Sequence, residues 1–217
     1  MPFTSLKRVN ETYLHSYVHH VLLLISKFAI VLPMANTIRY VAFLRGINVG
    51  GNKLIKMDAL AAAFTAAGFR NVKTYIASGN VIFDSRNSSI VGLEKKAEKK
   101  LLETFGHKIA VVIFSLAELQ ALIDSDVFKR ITSHADAMLL VTFLKTNVTP
   151  AKLPIESKTE NLKVFAMQDR VAFTVALRKK TGWFGFPNNF IEKQLGVGAT
   201  TRQWRTLKKV VAVANAI

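Results

Sequence analysis

Residues 72–83 read Val-Lys-Thr-Tyr-Ile-Ala-Ser-Gly-Asn-Val-Ile-Phe, and this stretch predicts a β-hairpin. Its two ends are rich in β-branched and aromatic residues, which favour strands. Ser78-Gly79-Asn80 between them is typical of a tight turn, because glycine and asparagine tolerate positive φ. The hairpin is therefore the centre from which the neighbouring elements are assigned.

A helix and then a strand are predicted on each side of the hairpin. Residues 57–67 are rich in Ala and Leu, and they precede Gly68, which suits the end of a helix. Residues 90–105 have apolar side chains at helical spacings of three and four. Residues 38–44 and 109–114 predict the outer strands. The order β-α-β-β-α-β predicts an α+β, ferredoxin-like subdomain with a four-stranded antiparallel sheet and both helices on one face.

A second small α+β subdomain is predicted to follow. Ser115 and Glu118 form a capping-box pattern that opens a helix to about residue 123. The remaining predicted elements are strands over residues 137–145, 161–167 and 171–177 and helices over residues 188–195 and 201–214. The expected parts of the chain are a leader over 1–33, the ferredoxin-like subdomain over 34–115 and the second subdomain, with basic C-terminal helices, over 116–217. The sequence shows no periodic repeat.

The leader contains an apolar run over residues 21–32. These twelve residues are too few for a simple membrane span, which needs about 20. Two upstream bases fit a signal peptide, but Pro33 stands where a cleavage site requires a small residue. Met34, directly before the first strand, is typical of a natural start. Upstream sequence outside the fold is the favoured interpretation, and export and a membrane anchor are the alternatives.

The composition indicates a folded, strongly basic protein. The 217 residues include 30 Lys+Arg and 14 Asp+Glu, for a formal net charge of +16, and 50% are hydrophobic. The lack of cysteine excludes disulfides, thiolate catalysis and Cys-ligated zinc. Residues 170–217 hold nine bases and one acid. This local excess of positive charge favours a polyanionic partner.

Residues 45–53, Arg-Gly-Ile-Asn-Val-Gly-Gly-Asn-Lys, form a glycine-rich loop after the first strand, where backbone N–H groups can approach an anion. Gly46 and Gly51 have the spacing of a nucleotide P-loop, but no Ser or Thr follows Lys53 to bind Mg²⁺. A nucleotide P-loop is therefore disfavoured. A loop for another anion, and glycines that serve only a tight connection, remain as alternatives.

Three blocks of the sequence resemble the domain-of-unknown-function 1697 family. They are Tyr-Val-Ala-Phe-Leu-Arg-Gly-Ile-Asn-Val-Gly-Gly over residues 40–51, Thr-Tyr-Ile-Ala-Ser-Gly-Asn-Val over 74–81 and Leu-Gly-Val-Gly-Ala-Thr-Thr-Arg-Gln-Trp-Arg-Thr over 195–206. Gln203 departs from the Asn that is usual in the family, and Arg205 is also unusual. The resemblance covers residues 38–214. It implies a cytosolic, mostly bacterial α+β protein with no established activity.

The three blocks predict a binding site for an anionic ligand. Arginine forks suit phosphate or carboxylate, and the predicted last helix would present its N-terminus to an anion. The candidate residues are Arg45, Gly46, Asn48, Gly50, Gly51, Ser78, Asn80, Thr201 and Arg202. In the alternative interpretation Asn48, Ser78 and Asn80 bond their own turns, while Arg202 and Trp204 hold the last helix against the body.

A second set of residues predicts contact with nucleic acid. Basic side chains follow phosphates, and aromatic rings stack on bases. The candidates are Arg178, Lys179, Lys180, Trp183, Phe184 and Arg205. The alternative is a solvated basic face with aromatics in the core. Non-catalytic binding of nucleic acid or another polyanion is the leading hypothesis. The alternative function is an enzyme or binding protein for a phosphorylated or carboxylate small molecule at loop 45–53.

Catalytic groups are not evident in the sequence. Ser133, His134 and Asp136 are residue types of a catalytic triad, but adjacency in sequence does not produce triad geometry. No group of His, Asp and Glu has the spacing of metal ligands. The sequence therefore nominates no catalytic residue, no metal and no cofactor, and it leaves open both catalysis and the oligomeric state.

Overall fold

Nine strands and five helices are formed by the residues that the computed structural model describes, which are 37–48, 54–87, 89–129, 131 and 136–217. The predicted leader, Gly50, Gly51, Ser133 and His134 lie outside these residues. None of the five helices is long and apolar enough to cross a bilayer. The protein is α+β, with two antiparallel sheets.

The first sheet contains the predicted hairpin. Its strands are β1 (Ile38–Leu44), β2 (Arg70–Tyr75), β3 (Asn80–Ser85) and β4 (Val111–Ser115). They are antiparallel throughout and lie in the order β2-β3-β1-β4. Helices α1 (Met57–Ala66) and α2 (Ile90–Phe105) both pack in one apolar cluster with this sheet. The hairpin turn covers residues 76–79, so Asn80 is the first residue of β3 rather than a turn residue.

The second sheet has five strands in the order β6-β7-β8-β5-β9. The strands are β5 (Ala137–Leu144), β6 (Ile155–Ser157), β7 (Leu162–Gln168), β8 (Val171–Leu177) and β9 (Ala199–Gln203). The accompanying helices are α3 (Leu116–Asp124), α4 (Asn188–Leu195) and α5 (Trp204–Asn215). The capping box predicted at Ser115 and Glu118 is present at the start of α3.

The last predicted helix begins later than expected. Residues 199–203 form an edge strand that pairs with β5, and the helix starts only at Trp204. Thr200 and Thr201 are β-branched, and β5 supplies the hydrogen-bonding edge that makes the extended conformation favourable. The expectation that Thr201 and Arg202 open this helix is therefore wrong. The short strand β6 also lies in a stretch without predicted secondary structure.

The two sheets share an apolar cluster that contains Val41 and Phe43 of β1 and Val141 and Phe143 of β5. The rings of Phe43 and Phe143 are stacked, with centroids 4.0 Å apart and an interplanar angle of 8°. The alternate residues of β1 pack with α1 and α2. Burial of both faces explains why β1 is almost continuously apolar, since a sheet with one solvated face would alternate.

The two sheets repeat one plan. Strands β5, β7, β8 and β9 have the same relative order as β1 to β4, and a helix begins directly after the fourth strand of each set. The registers align residues 41–45, Val-Ala-Phe-Leu-Arg, with residues 141–145, Val-Thr-Phe-Leu-Lys. The sequence did not reveal this repeat because the elements between the strands differ in length and type.

Thr37–Ile217 group into one compact unit, in which both sheets contribute to the shared cluster. The α3 residues Leu119 and Leu122 and the α5 residues Leu207 and Val211 belong to the same cluster. The predicted boundary between residues 115 and 116 falls between β4 and α3, and it stays a prediction. The shared cluster brings the end of β1 next to β9, where the polar residues described below lie.

Candidate functional site

A cavity of about 350 Å³ lies where β1 ends, beside the hairpin turn, β9 and the start of α4. We call it the polar pocket. Five of the predicted anion-binding residues line it: Arg45, Gly46, Ser78, Thr201 and Arg202. It is also lined by Phe186, Asn188, Asn189 and Thr200, which were not among the predicted anion-binding residues. The signal for Thr200 was its place in the same block as Thr201, and the signal for Phe186 was its place in the aromatic segment that follows the basic residues 178–180. Asn188 and Asn189 carried no comparable signal.

Hydrogen bonds tie the three sequence blocks together at the pocket. The Leu44 N–H donates to the Gly79 carbonyl at 2.8 Å, and the Thr200 hydroxyl donates to the Leu44 carbonyl at 3.1 Å. Gly79 has φ +75°, and a Cβ there would lie 2.9 Å from the Leu44 Cβ. Only glycine fits this close approach without displacing β1. Convergence of the blocks is therefore a property of the fold.

Arg202 is buried in the wall of the pocket, with 7% of its surface exposed. Its five hydrogen bonds go to Asn80 Oδ1 (2.6 Å), Thr200 Oγ1 (2.9 Å) and the carbonyls of Thr201 (2.8 Å), Leu44 (2.9 Å) and Gly79 (3.0 Å). All five acceptors are neutral. Burial lowers the pKa of Arg202 to about 10, so the side chain is still charged at neutral pH. The wall therefore holds a positive charge that no hydrogen-bonded carboxylate neutralises.

Arg45 stands at the same pocket but is paired with a carboxylate. Its Nε and Nη2 donate to the two oxygens of Glu192 at 2.7 and 2.6 Å. The hydrogen bond to Glu192 raises the pKa of Arg45. Burial alone would raise the pKa of Glu192, but hydrogen bonds from Arg45 and the Ala199 N–H outweigh it and lower that pKa. Among the described residues, Nη1 of Arg45 has no hydrogen-bond acceptor.

The predicted asparagines support the loops around the pocket. The Asn48 side chain donates to the carbonyls of Ile55 and Ala77 at 3.0 and 2.9 Å and accepts from the Ile55 N–H at 2.7 Å. Asn80 donates to the Tyr75 carbonyl and to the Ser78 hydroxyl, both at 3.0 Å. The bonds to Ile55, Tyr75 and Ser78 close local turns, as such residues commonly do, and the bond from Asn48 to Ala77 joins the loop after β1 to the hairpin turn. Ser78 itself is exposed at the rim.

The internal repeat shows that the scaffold does not require polar residues at this wall. Thr200, Thr201 and Arg202 pair with β5 in the positions where Val112, Ile113 and Phe114 pair with β1. Thr200 corresponds to Val112, Thr201 to Ile113 and Arg202 to Phe114. Buried polar groups cost free energy unless they are hydrogen-bonded. The two halves therefore differ in polarity at this position, and in the polar half the side chains of Arg202 and Thr200 are hydrogen-bonded.

A second cavity, of about 460 Å³, lies at the other end of β9. We call it the basic groove. The predicted residues Arg178, Phe184 and Arg205 line it, together with Lys208. The Arg178 guanidinium lies 4.7 Å from the Phe184 ring centroid, and its Nε donates to Asp136 at 3.0 Å. A cation over an aromatic face is a favourable arrangement.

The other predicted nucleic-acid residues flank the groove rather than line it. Lys179 pairs with Glu160, with Nζ and Oε2 2.9 Å apart. Lys180 is exposed, and Trp183 has 77% of its surface exposed. Trp204, in contrast, is buried in the cluster shared by the sheets, which agrees with its expected role in holding the last helix.

Residue types that can ligate a metal or form a catalytic triad are also present among the described residues. Within the described ranges, no three His, Asp or Glu side chains are close enough to hold a metal ion. Asp136 is paired with Arg178, and its two triad neighbours in sequence lie outside the described residues.

Fold and site together define the class: an α+β protein of two antiparallel sheets with a polar pocket where three loop segments meet. The family model described as "Protein of unknown function (DUF1697)" matches residues 38–173, which include the first two of the three blocks. The chain belongs to this family, as the sequence resemblance predicted.

A solved structure is similar to this fold. It is the conserved bacterial protein SP0830 from Streptococcus pneumoniae, which matches with a TM-score of 0.57 and 19% sequence identity. The match covers 82% of this chain and 99% of that chain. At this identity the likeness concerns the fold alone. No curated protein matches the chain.

Proposed function

We propose that the protein binds a small anionic ligand, a phosphate or carboxylate compound, in the polar pocket. The buried charge of Arg202 carries this proposal. A buried cation without an opposite charge is costly, and an anion placed beside it recovers part of that cost. In the other half of the molecule an apolar residue, Phe114, occupies the corresponding position.

The residues around the pocket have different roles toward such a ligand. All five donors of Arg202 are in use, so it acts through its charge rather than by a direct hydrogen bond. Nη1 of Arg45 and the hydroxyl of Ser78 are the groups placed to donate directly. Helix α4 begins at the pocket with Asn188, and the positive end of the helix dipole adds to the field.

A thermal-shift series tests this proposal with inorganic phosphate, citrate and a set of phosphorylated metabolites. We expect at least one anion to raise the Tm in a saturable manner, because a ligand that binds only the folded state stabilises it. The shift should be lost in Arg45→Met. Arg39→Met is the matched control, since Arg39 forms a similar fork with Asp84 away from the pocket. Equal shifts in both variants, or no shift with any anion, would contradict the proposal.

A second function, binding of single-stranded nucleic acid or another polyanion without catalysis, is favoured by the basic groove. Arg178, Arg205 and Lys208 surround Phe184 there. Basic side chains that follow phosphates and rings that stack on bases are the two components of such sites. The exposed Trp183 on the neighbouring loop is available for the same purpose.

Fluorescence polarisation with single-stranded DNA and RNA over a salt series tests this second function. We expect affinity to fall as salt rises, by about 0.7 in log K per log salt for each phosphate contacted. The double variant Arg205→Ala, Lys208→Ala should reduce this slope. The matched control is the double variant Lys95→Ala, Lys99→Ala, on the exposed side of α2. It removes the same amount of positive charge and should leave binding unchanged. Absence of binding at low salt would exclude the function.

The arrangement of the first sheet, the division of the chain and the cellular location are further proposals. We infer that the first sheet has the ferredoxin-like arrangement, which the strand order β2-β3-β1-β4 and the common face of α1 and α2 support. The division into parts 34–115 and 116–217 follows from that assignment. A cytoplasmic location is proposed from what the family resemblance implies.

A further inference from the structure

We infer that the ligand of the polar pocket is the terminal phosphate of a single-stranded nucleic acid, whose adjoining nucleotides lie along the basic groove. This inference rests on the proposed function of the pocket and joins it to the groove in one composite site. Four observations carry it: the neighbouring cavities, the exposed aromatic residues, the way their loop is held and the distribution of charge.

Neighbouring residues of the same two segments line the two cavities. Phe184 lines the groove and Phe186 lines the pocket, two residues further along the chain. On β9, Arg202 lines the pocket and the next residue, Gln203, lines the groove. Two residues of extended chain span about 7 Å at most. This is about twice the 3.4 Å rise between stacked nucleotides, so a strand that leaves the pocket reaches the groove within a few nucleotides.

Two large aromatic residues of the segment that lines both cavities are exposed to solvent. Trp183 has 77% and Phe186 has 56% of its surface exposed. Most aromatic side chains of this size stabilise a protein by burial, and these two make little such contribution. Rings that stand next to a cationic path provide stacking surfaces for bases of any sequence.

The loop that carries these rings is held in place. The Lys179 N–H donates to the Trp183 carbonyl at 2.8 Å, and Arg178 Nη1 donates to the Gly182 carbonyl at 3.0 Å. Gly185 passes so close to the Glu160 carbonyl oxygen that a Cβ there would lie 2.0 Å from it. The backbone therefore presents the two rings from a fixed base, which reduces the entropy lost on binding.

The cations along this path differ in whether a carboxylate compensates them: Arg205 and Lys208 at the groove have no carboxylate partner among the described residues. Arg178 at the groove pairs with Asp136, and Arg45 at the pocket rim pairs with Glu192. Arg202, deepest of these cations, has only neutral hydrogen-bond partners. A terminal phosphate monoester carries up to about two negative charges near pH 7, whereas an internal phosphodiester carries one. The buried positive charge therefore favours a strand end over a passing strand.

The experiment compares labelled eight-nucleotide oligo-dT with and without a terminal phosphate, by fluorescence polarisation on the full chain. Each phosphorylated oligonucleotide is paired with an unphosphorylated one that carries the same label. In the first pair the phosphate is at the 5′ end and the label at the 3′ end, and in the second pair the phosphate is at the 3′ end and the label at the 5′ end. We expect at least tenfold tighter binding for one phosphorylated end. Arg45→Met should reduce that preference to less than threefold. The double variant Arg205→Ala, Lys208→Ala should weaken the binding of both oligonucleotides equally, so that the preference for the phosphorylated end is unchanged. Arg39→Met should change neither the affinity nor the preference.

Competition by inorganic phosphate and by dTMP separates this inference from the proposed function. If phosphate or dTMP stabilises the protein but oligonucleotides bind equally with and without a terminal phosphate, the inference is overturned and the anion pocket stands. If dTMP binds as tightly as the phosphorylated octamer, the ligand is a mononucleotide and the inference is also overturned. If no phosphate compound has any effect, both fail. Circular dichroism of each variant confirms that loss of binding does not reflect unfolding.

Discussion

Arg202 connects three segments that are far apart in the sequence. Its guanidinium bonds to Asn80, to the carbonyls of Leu44 and Gly79 and to β9 itself. A residue in this position has two consequences at once. It holds the end of β1, the hairpin turn and β9 in register, and it places a positive charge in the pocket wall.

The structural role of Arg202 leads to a stability prediction. Arg202→Met keeps much of the volume but leaves several buried acceptors without donors, and we expect a loss of about 2–4 kcal/mol in the free energy of unfolding. Arg202→Lys keeps the charge but not the fork, so its loss should be smaller. Urea unfolding followed by circular dichroism measures both. An Arg202→Met variant as stable as the native protein would show that these bonds contribute little.

Glu192 leads to a pH prediction. Its pKa is lowered in the folded protein from the ordinary value of 4.5, because bonds from Arg45 and Ala199 outweigh burial. Near and below pH 4.5 the carboxylate of Glu192 takes up a proton more readily in the unfolded chain than in the folded protein. The contribution of Glu192 to the stability of the folded state is therefore fully present above that pH. It is lost as the pH falls through the folded pKa.

Glu192→Gln should therefore lose less stability than the native protein between pH 6 and pH 3. Arg45→Met should flatten the profile in the same manner, because it removes the main partner that lowers the pKa. Urea unfolding at several pH values checks this. If the free energy of unfolding changed with pH in the same way in the native protein and both variants, the lowered pKa of Glu192 would not contribute to the pH dependence of stability.

At the scale of elements, the hairpin turn and β9 determine the pocket. The turn contains Gly79 in the left-handed region at φ +75°, packed against Leu44 and Ile47. Strand β9 is an edge strand whose polar residues replace the apolar ones of β4. The hairpin was predictable from local composition. Strand β9 was not, because its pairing partner β5 lies about sixty residues earlier in the chain.

Two glycines of similar φ allow a matched test of the turn. Gly79→Ala should cost about 2–4 kcal/mol, because the new Cβ both occupies a left-handed conformation and meets Leu44 and Ile47 at 2.8–2.9 Å. Gly106→Ala has φ +73° and open space around it, so only the conformational cost of about 1 kcal/mol applies. Chemical denaturation of the two variants measures the difference. Equal losses would show that packing at the turn is unimportant.

At the scale of the whole molecule, the two sheets depend on each other. One face of the first sheet, with Val41, Phe43, Ile82, Val112 and Phe114, belongs to the cluster that also includes the second sheet. The stacked rings of Phe43 and Phe143 lie in that cluster. The repeated plan of the two halves thus buries one face of each sheet against the other half.

A fragment of residues 34–115 should therefore fail to fold cooperatively, although it contains every element of the first sheet. We expect it to bind a hydrophobic dye and to unfold over a broad range of urea, as states without fixed packing do. Residues 34–217, the matched control, should show one sharp transition. A sharp transition in the fragment would mean that the first half is an independent domain.

Much of the first half was predictable because its signals are local. The apolar run of β1, the Ala-rich α1 and the periodicity of α2 each arise within a dozen residues, and the structure contains all three elements. Family membership was predictable for a similar reason, since the blocks at 40–51 and 74–81 are contiguous. The internal repeat was not predictable, because the similar residues are confined to the short segments 41–45 and 141–145 and the elements between the strands differ in length and type.

By itself, the sequence determined the α+β class, the order of the first six elements, the family and the candidate residues, all of which rest on short-range patterns. Only the tertiary structure decided which candidates meet. It paired Arg45 with Glu192 across 147 positions of sequence and surrounded Arg202 with neutral acceptors. It also separated the pocket from the basic groove by a short length of β9. The physical reason is that burial and charge compensation depend on which segments pack together, and packing joins residues whose separation in sequence carries no signal.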